Sequence, residues 1–168
     1  HELAGVIEET GSEVTHYKAG DRVSVAPNYG CGVCDFCVSG NSQLCSESEA
    51  IGISVDGGFA EYVRIPEPAV RQGNLMVLPE NVSFEAGALA EPFSCVYNAY
   101  EKIGIYPGDR VLVIWAGPIG IMHAKIAVLA GAGQVYMNDL NTGRLEQAKE
   151  RVPQIETLVT DDLPGEID

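Results

Sequence analysis

The sequence predicts a β-rich domain followed by the opening part of a doubly wound parallel α/β sheet. Three observations carry that expectation. Short β-type runs separated by Gly, Pro, Asn and Asp turns fill residues 1–80, and strand and helix patterns alternate from residue 107 onward. A four-cysteine loop at 31–45 interrupts the first series.

Taken in order, Leu3–Glu8, Arg22–Ala26, Phe59–Ile65 and Leu75–Leu78 read as strands, with Gly20-Asp21 and Asp56-Gly57-Gly58 as turns. Residues 81–106 read as connecting helices. Asn81-Val82-Ser83 offers caps, and Pro92 is expected to end or kink the first helix before a second one runs through Cys95, Tyr97 and Tyr100. From 107 to 168 the pattern is β-α-β. Arg110–Trp115 is a strand, Ile119–Ala130 a helix closed by Gly131, and Gln134–Asn138 a second strand. Thr142–Arg151 is a second helix, and Thr157–Thr160 begins a third strand.

Composition narrows the partners. The chain has 168 residues, 46% apolar and 20% charged, with a formal charge of −14. That charge and the lack of a Lys/Arg cluster argue against nucleic acid and against anionic membranes. The longest apolar stretch, Ile119–Ala132, is broken by His123 and Lys125 and is too short to span a bilayer. A small molecule or another protein is the expected partner. The chain opens on His1 and stops at Pro164–Asp168 without a terminating element, so both ends are expected to be cuts.

Cys31, Cys34, Cys37 and Cys45 form C-x2-C-x2-C-x7-C, with Gly30, Gly32 and Gly40 beside them. Four thiolates close together suit a tetrahedral zinc, and glycines let the backbone fold tightly around it. Four ligands would close the coordination sphere, so such a zinc is structural. An iron–sulfur cluster and a disulfide framework are the competing readings. The seven-residue last spacer departs from ferredoxin runs, and an acidic enzyme-like chain is poor ground for disulfides. Cys95 reads as a buried small side chain.

Ala116-Gly117-Pro118-Ile119-Gly120 joins the first α/β strand to its helix. A pyrophosphate would sit on that helix N-terminus, with Gly117 allowing close approach and Gly120 close helix–strand packing. Asp139, 19 residues beyond Gly120, ends the second strand. A carboxylate there accepts ribose hydroxyls of NAD and repels the 2′-phosphate of NADP. Arg144 could cover the adenosine end or be a solvated helix charge. Trp115 stands where the fingerprint has its first glycine, which puts cofactor affinity in question.

His1-Glu2-Leu3-Ala4-Gly5 with Gly11 and Val14, the cysteine loop, Gly20-Asp21-Arg22-Val23, Gly57-Gly58-Phe59-Ala60-Glu61-Tyr62 and the Gly117–Asp139 unit together resemble the zinc-dependent medium-chain dehydrogenase/reductase family. The resemblance implies a GroES-like catalytic domain and a Rossmann NAD-binding domain. It implies that His1 and Glu91 hold a catalytic zinc, that Glu2 can approach it, and that Ile119, Asp139 and Arg144 contact NAD. Glu91 followed by Pro92 is closer to the sorbitol and polyol dehydrogenase branch. The implied reaction is hydride transfer from a polyol or secondary alcohol to NAD in a cytoplasmic homo-oligomer, with threonine, galactitol phosphate or a simple alcohol as alternative substrates. His16 and His123 match no part of the pattern. A non-catalytic zinc-stapled interaction domain is the alternative of another class. The 168-residue chain by itself is expected to be catalytically silent, because the catalytic thiolate and the second half of the cofactor sheet are not in it.

Overall fold

A computed structural model describes residues 1–161. The expectation for Pro164–Asp168 lies outside them. The chain forms two compact units, His1–Glu91 and Pro92–Asp168.

The first unit is built on a three-stranded antiparallel sheet of β1 (Leu3–Val6), β2 (Arg22–Val25) and β5 (Leu75–Val77), in the order β1-β2-β5. A two-stranded ribbon pairs β3 (Asn28–Tyr29) with β4 (Glu49–Ala50), and α1 (Asp35–Val38) lies in the loop between them. Leu3, Val25, Tyr29, Ile51 and Ala69 form its core, with Ile51 and Ala69 fully buried. The short helix α2 (Glu67–Arg71) contributes Ala69. The strand expected over Phe59–Ile65 does not form. That segment lines a groove of about 930 Å³ beside β1 without a ladder to it, and Phe59 and Tyr62 are exposed. Without a partner to take its N–H and C=O groups, an alternating pattern does not make a strand.

Ser83 caps α3 (Phe84–Ala88), its hydroxyl accepting from the Ala86 N–H at 3.2 Å. The break falls at Leu89, and α4 (Ala90–Ile103) begins before Pro92. Pro92 sits in the first turn of α4, where its missing N–H leaves no intrahelical bond unmade. Cys95 is exposed rather than buried, a correction to the sequence reading.

The second unit carries a parallel sheet in the order β6-β7-β8, from β6 (Arg110–Ile114), β7 (Gln134–Asn138) and β8 (Glu156–Leu158). The helices α5 (Pro118–Leu129) and α6 (Thr142–Arg151) are the crossovers. Val113, Ala124, Ala127, Met137, Leu145 and Ile155 are among its core residues. Small alanines on α5 let the helix lie close on the strands. Gly131, at φ +88°, ends α5 in the left-handed conformation expected of a helix C-terminus.

Candidate functional site

The cysteine loop converges. The Sγ atoms of Cys31, Cys34, Cys37 and Cys45 all lie within 4.8 Å of one another, and no disulfide joins them. A tetrahedral zinc with Zn–S near 2.3 Å needs sulfurs about 3.8 Å apart, so a small contraction suffices. The backbone has been shaped for that approach. A Cβ at Gly30 would stand 2.5 Å from Cys37 Sγ, and Gly32 and Gly40 adopt φ of +82°. N–H groups of Cys31 and Glu47 point at Cys45 Sγ, and that of Cys34 at Cys31 Sγ, at 3.3–3.5 Å. Bonds from the N–H groups of Val33 and Cys34 bring the Cys31 thiol down to about 7. Cys37 goes the other way, to about 11: the Gly32 N–H lowers it, but burial and thiol contacts with its three neighbours prevail. One of the four thus ionises near neutrality while its neighbour resists, and a bound cation would let all four share their negative charge; the donor set fits zinc. From α2's end, Gln72 Nε2 donates to Gly30 O at 2.8 Å and holds the loop's entry.

A second pairing lies at His1. Its Nδ1 is 3.0 Å from Ile51 O, and its Nε2 is 3.3 Å from Glu91 Oε1. The backbone carbonyl selects the tautomer with Nδ1–H donating, which turns the Nε2 lone pair toward the carboxylate. Two acceptors facing each other require a proton or a metal ion between them. Adjacent N and O ligands on a tetrahedral zinc are about 3.3 Å apart, so the pair fits that geometry. Gly52 makes room for the His1 backbone, where a Cβ would meet His1 N at 2.8 Å, and Gly57 makes room for Gly52, whose Cα would lie 2.5 Å from an added Cβ. Burial and the charge of Glu2 raise the Glu91 carboxyl. Glu2 itself stays exposed. Among the described residues, only the four cysteines form a group of three or more metal-competent side chains. Sequence reasoning missed Ile51, whose only signal was its place before a Gly turn.

In the second unit, β6 runs through Trp115 and Ala116 into Gly117, the N-cap of α5, with Pro118 in the helix's first turn. A Cβ at Gly117 would find no atom within 4 Å, so the helix N-terminus is open there. At Gly120 a Cβ would stand 2.0 Å from Trp115 O, so that glycine is required by packing. Trp115 itself has φ +78°, the sole non-glycine with positive φ among the described residues. The turn a glycine would make is therefore made, at a strain of about 1–2 kcal/mol.

Asp139 ties the loops together. Its Oδ2 accepts from Ala116 N–H at 2.9 Å and its Oδ1 from Asn141 N–H at 2.8 Å, with Arg144 Nη1 3.9 Å from Oδ2. Asn141 in turn caps α6 by accepting from Arg144 N–H. Two of the carboxylate's four lone-pair positions are thus committed to the backbone, a role the sequence reading had not seen. The N–H groups of Asn141 and then Ala116 hold the Asp139 carboxyl below its usual range. A lowered folded-state value stabilises the unit above the ordinary aspartate range near about 3.9, and this is lost as pH falls through the folded value. The urea-midpoint gap between wild type and Asp139→Asn is therefore expected to be full at pH 7 and to close below about pH 4. A gap constant down to pH 2 would contradict the assignment.

These features define a class: a β domain built for a thiolate-bound metal, continuous in sequence with a dinucleotide-type βαβ unit. Residues 1–79 match the alcohol dehydrogenase GroES-like domain. Over 151 residues the chain is 37% identical to sorbitol dehydrogenase of Bacillus subtilis (strain 168), covering 89% of this chain and 41% of the relative. It is 39% identical to L-threonine 3-dehydrogenase of Rhizobium johnstonii over 150 residues, 89% of this chain and 42% of that protein. Among solved structures, an alcohol dehydrogenase of E. coli CFT073 complexed with NADH superposes with a TM-score of 0.86 at 31% identity. That match covers 99% of this chain and 48% of the other. Residues 1–79 are thus an alcohol dehydrogenase GroES-like domain, and the chain as a whole is similar to zinc-dependent medium-chain dehydrogenases/reductases. It spans about two fifths of the length of the curated relatives it matches. Among the described residues no helix is long and apolar enough to cross a membrane.

Proposed function

We propose that this chain is part of a zinc-dependent oxidoreductase that transfers a hydride from a polyol or secondary alcohol to NAD. The products are a ketone or aldehyde, NADH and one proton. The observation that carries the reading is His1, with Nδ1 committed to Ile51 O and Nε2 facing Glu91 across 3.3 Å. A bound zinc there supplies Lewis acidity that favours loss of the substrate's hydroxyl proton. His1 and Glu91 hold the metal, Ile51 fixes the imidazole, and Glu2 acts on Glu91 through its charge. Cys31, Cys34, Cys37 and Cys45 hold a separate structural zinc. In the α/β unit Gly117, Pro118, Ile119 and Gly120 seat the pyrophosphate, and Asp139 accepts from ribose beside Arg144. The 37% and 39% identities to sorbitol and L-threonine dehydrogenases keep both substrate classes in view.

The test is an assay of the full-length protein with NAD and with NADP against sorbitol, galactitol 1-phosphate, L-threonine and 2-propanol, alongside metal analysis. The expected result is NAD-linked turnover of a polyol with two zincs per chain. Zinc binding without NADH binding would favour a non-catalytic zinc-stapled module. Turnover with NADP in preference to NAD would refute the ribose role of Asp139.

A further inference from the structure

Trp115 combines two features that give it no return in the free protein. Its backbone is held in the left-handed region, and its side chain is 73% exposed. The conformation cannot relax locally. Trp115 N–H donates to Asn138 O at 2.7 Å on one side, and its carbonyl is packed against Gly120 on the other. A strained residue is retained where the surroundings over-determine it, and such residues gather at ligand sites.

The position of Trp115 says which part of a ligand it would meet. No atom of the indole comes within 4 Å of a Cβ placed on Gly117, so the helix N-terminus beside it is clear. The next residue, Ala116, is bonded through its N–H to Asp139. Trp115, Asp139 and Val159 follow β6, β7 and β8 as one row, tied by Trp115 N–H to Asn138 O and Asp139 N–H to Leu158 O. Within that row Trp115 and Val159 are exposed, as is Leu140 next to it. Apolar surface therefore surrounds a carboxylate at the sheet's C-terminal edge.

We propose that Trp115 is an adenosine-recognition residue whose indole stacks on the adenine ring of the dinucleotide. The inference rests on the dinucleotide reading of this unit given above. With the pyrophosphate at Gly117–Gly120 and a ribose at Asp139, the base lies next to that row. A solvated indole gives up little on stacking, and every purine offers a flat π face.

Calorimetric titration of the full-length protein with NADH and with ADP-ribose tests this, in wild type, Trp115→Gly, Trp115→Leu and Trp115→Phe. Stacking predicts that Trp115→Gly and Trp115→Leu weaken both ligands by about tenfold, while Trp115→Phe stays within about threefold of wild type. Thermal melts accompany the titrations. Trp115→Gly relieves the left-handed strain and is expected to melt no lower than wild type, so weaker binding cannot be assigned to misfolding. Unchanged or tighter binding by Trp115→Gly overturns the proposal. So does a loss confined to NADH, which would put the indole at the nicotinamide, or a Trp115→Phe as weak as Trp115→Gly. Failure of the wild type to bind either ligand would overturn the dinucleotide reading along with it.

Discussion

Gly120→Ala is expected to destabilise the α/β unit by about 3 kcal/mol or more and to remove measurable NADH binding. The added Cβ would lie 2.0 Å from Trp115 O and 3.2 Å from its carbonyl carbon, both backbone atoms, with Val113 Cγ1 at 3.4 Å on the third side. Backbone cannot rotate away as a side chain can. Trp115 is also pinned by its bond to Asn138, so the clash must push α5 off the sheet or open the β6–β7 ladder. Either movement displaces the helix N-terminus proposed to seat the pyrophosphate. Gly117→Ala is the control. Its Cβ enters open space at an ordinary φ of −81°, so stability should hold while NADH binding weakens by loss of close approach. Urea unfolding and NADH titration of the two variants should separate cleanly. Equal stability of Gly120→Ala and wild type would mean the helix–strand contact is looser than described.

Stripping the metal from the cysteine loop should have the other large effect. Chelation is expected to lower the melting temperature of the zinc-loaded protein on the order of 10 °C and to open residues 31–45 to protease. The first unit's core of Leu3, Val25, Tyr29, Ile51 and Ala69 is small, and no disulfide supplements it. Without a cation, four thiols within 4.8 Å keep only weak N–H···S bonds and thiol contacts to hold them together. Cys37→Ser should reproduce much of the loss. Complete metal removal with an unmoved melting curve would sink the structural role.

What could be read from sequence divides along physical lines. The cysteine quartet and the Gly117–Asp139 unit were legible because their chemistry depends on spacing along the chain. Gln134–Asn138 and Thr142–Arg151 form over the expected residues, since an apolar strand and an amphipathic helix are local patterns. The Phe59–Ile65 strand failed because pairing is not local. The same holds for Ile51, which orients His1 from 50 residues away, and for the bond from Ala116 to Asp139. Trp115 was visible as an oddity, but only backbone geometry shows that the turn survives it.

The turn after α2 has a consequence for the order of events. Gln72 grips Gly30 O, and two residues on Asn74 Nδ2 donates to both Ala26 O and Asn28 O at 2.7 Å. These three bonds span 42, 48 and 46 residues, so the strand leading into the cysteine loop is held from far along the chain. Closing a loop of that length carries an entropy cost that must be met before the contacts return anything. The entry to the cysteine loop is therefore expected to settle only as α2 docks, and zinc uptake followed during refolding is expected to slow when Gln72→Ala and Asn74→Ala remove these bonds.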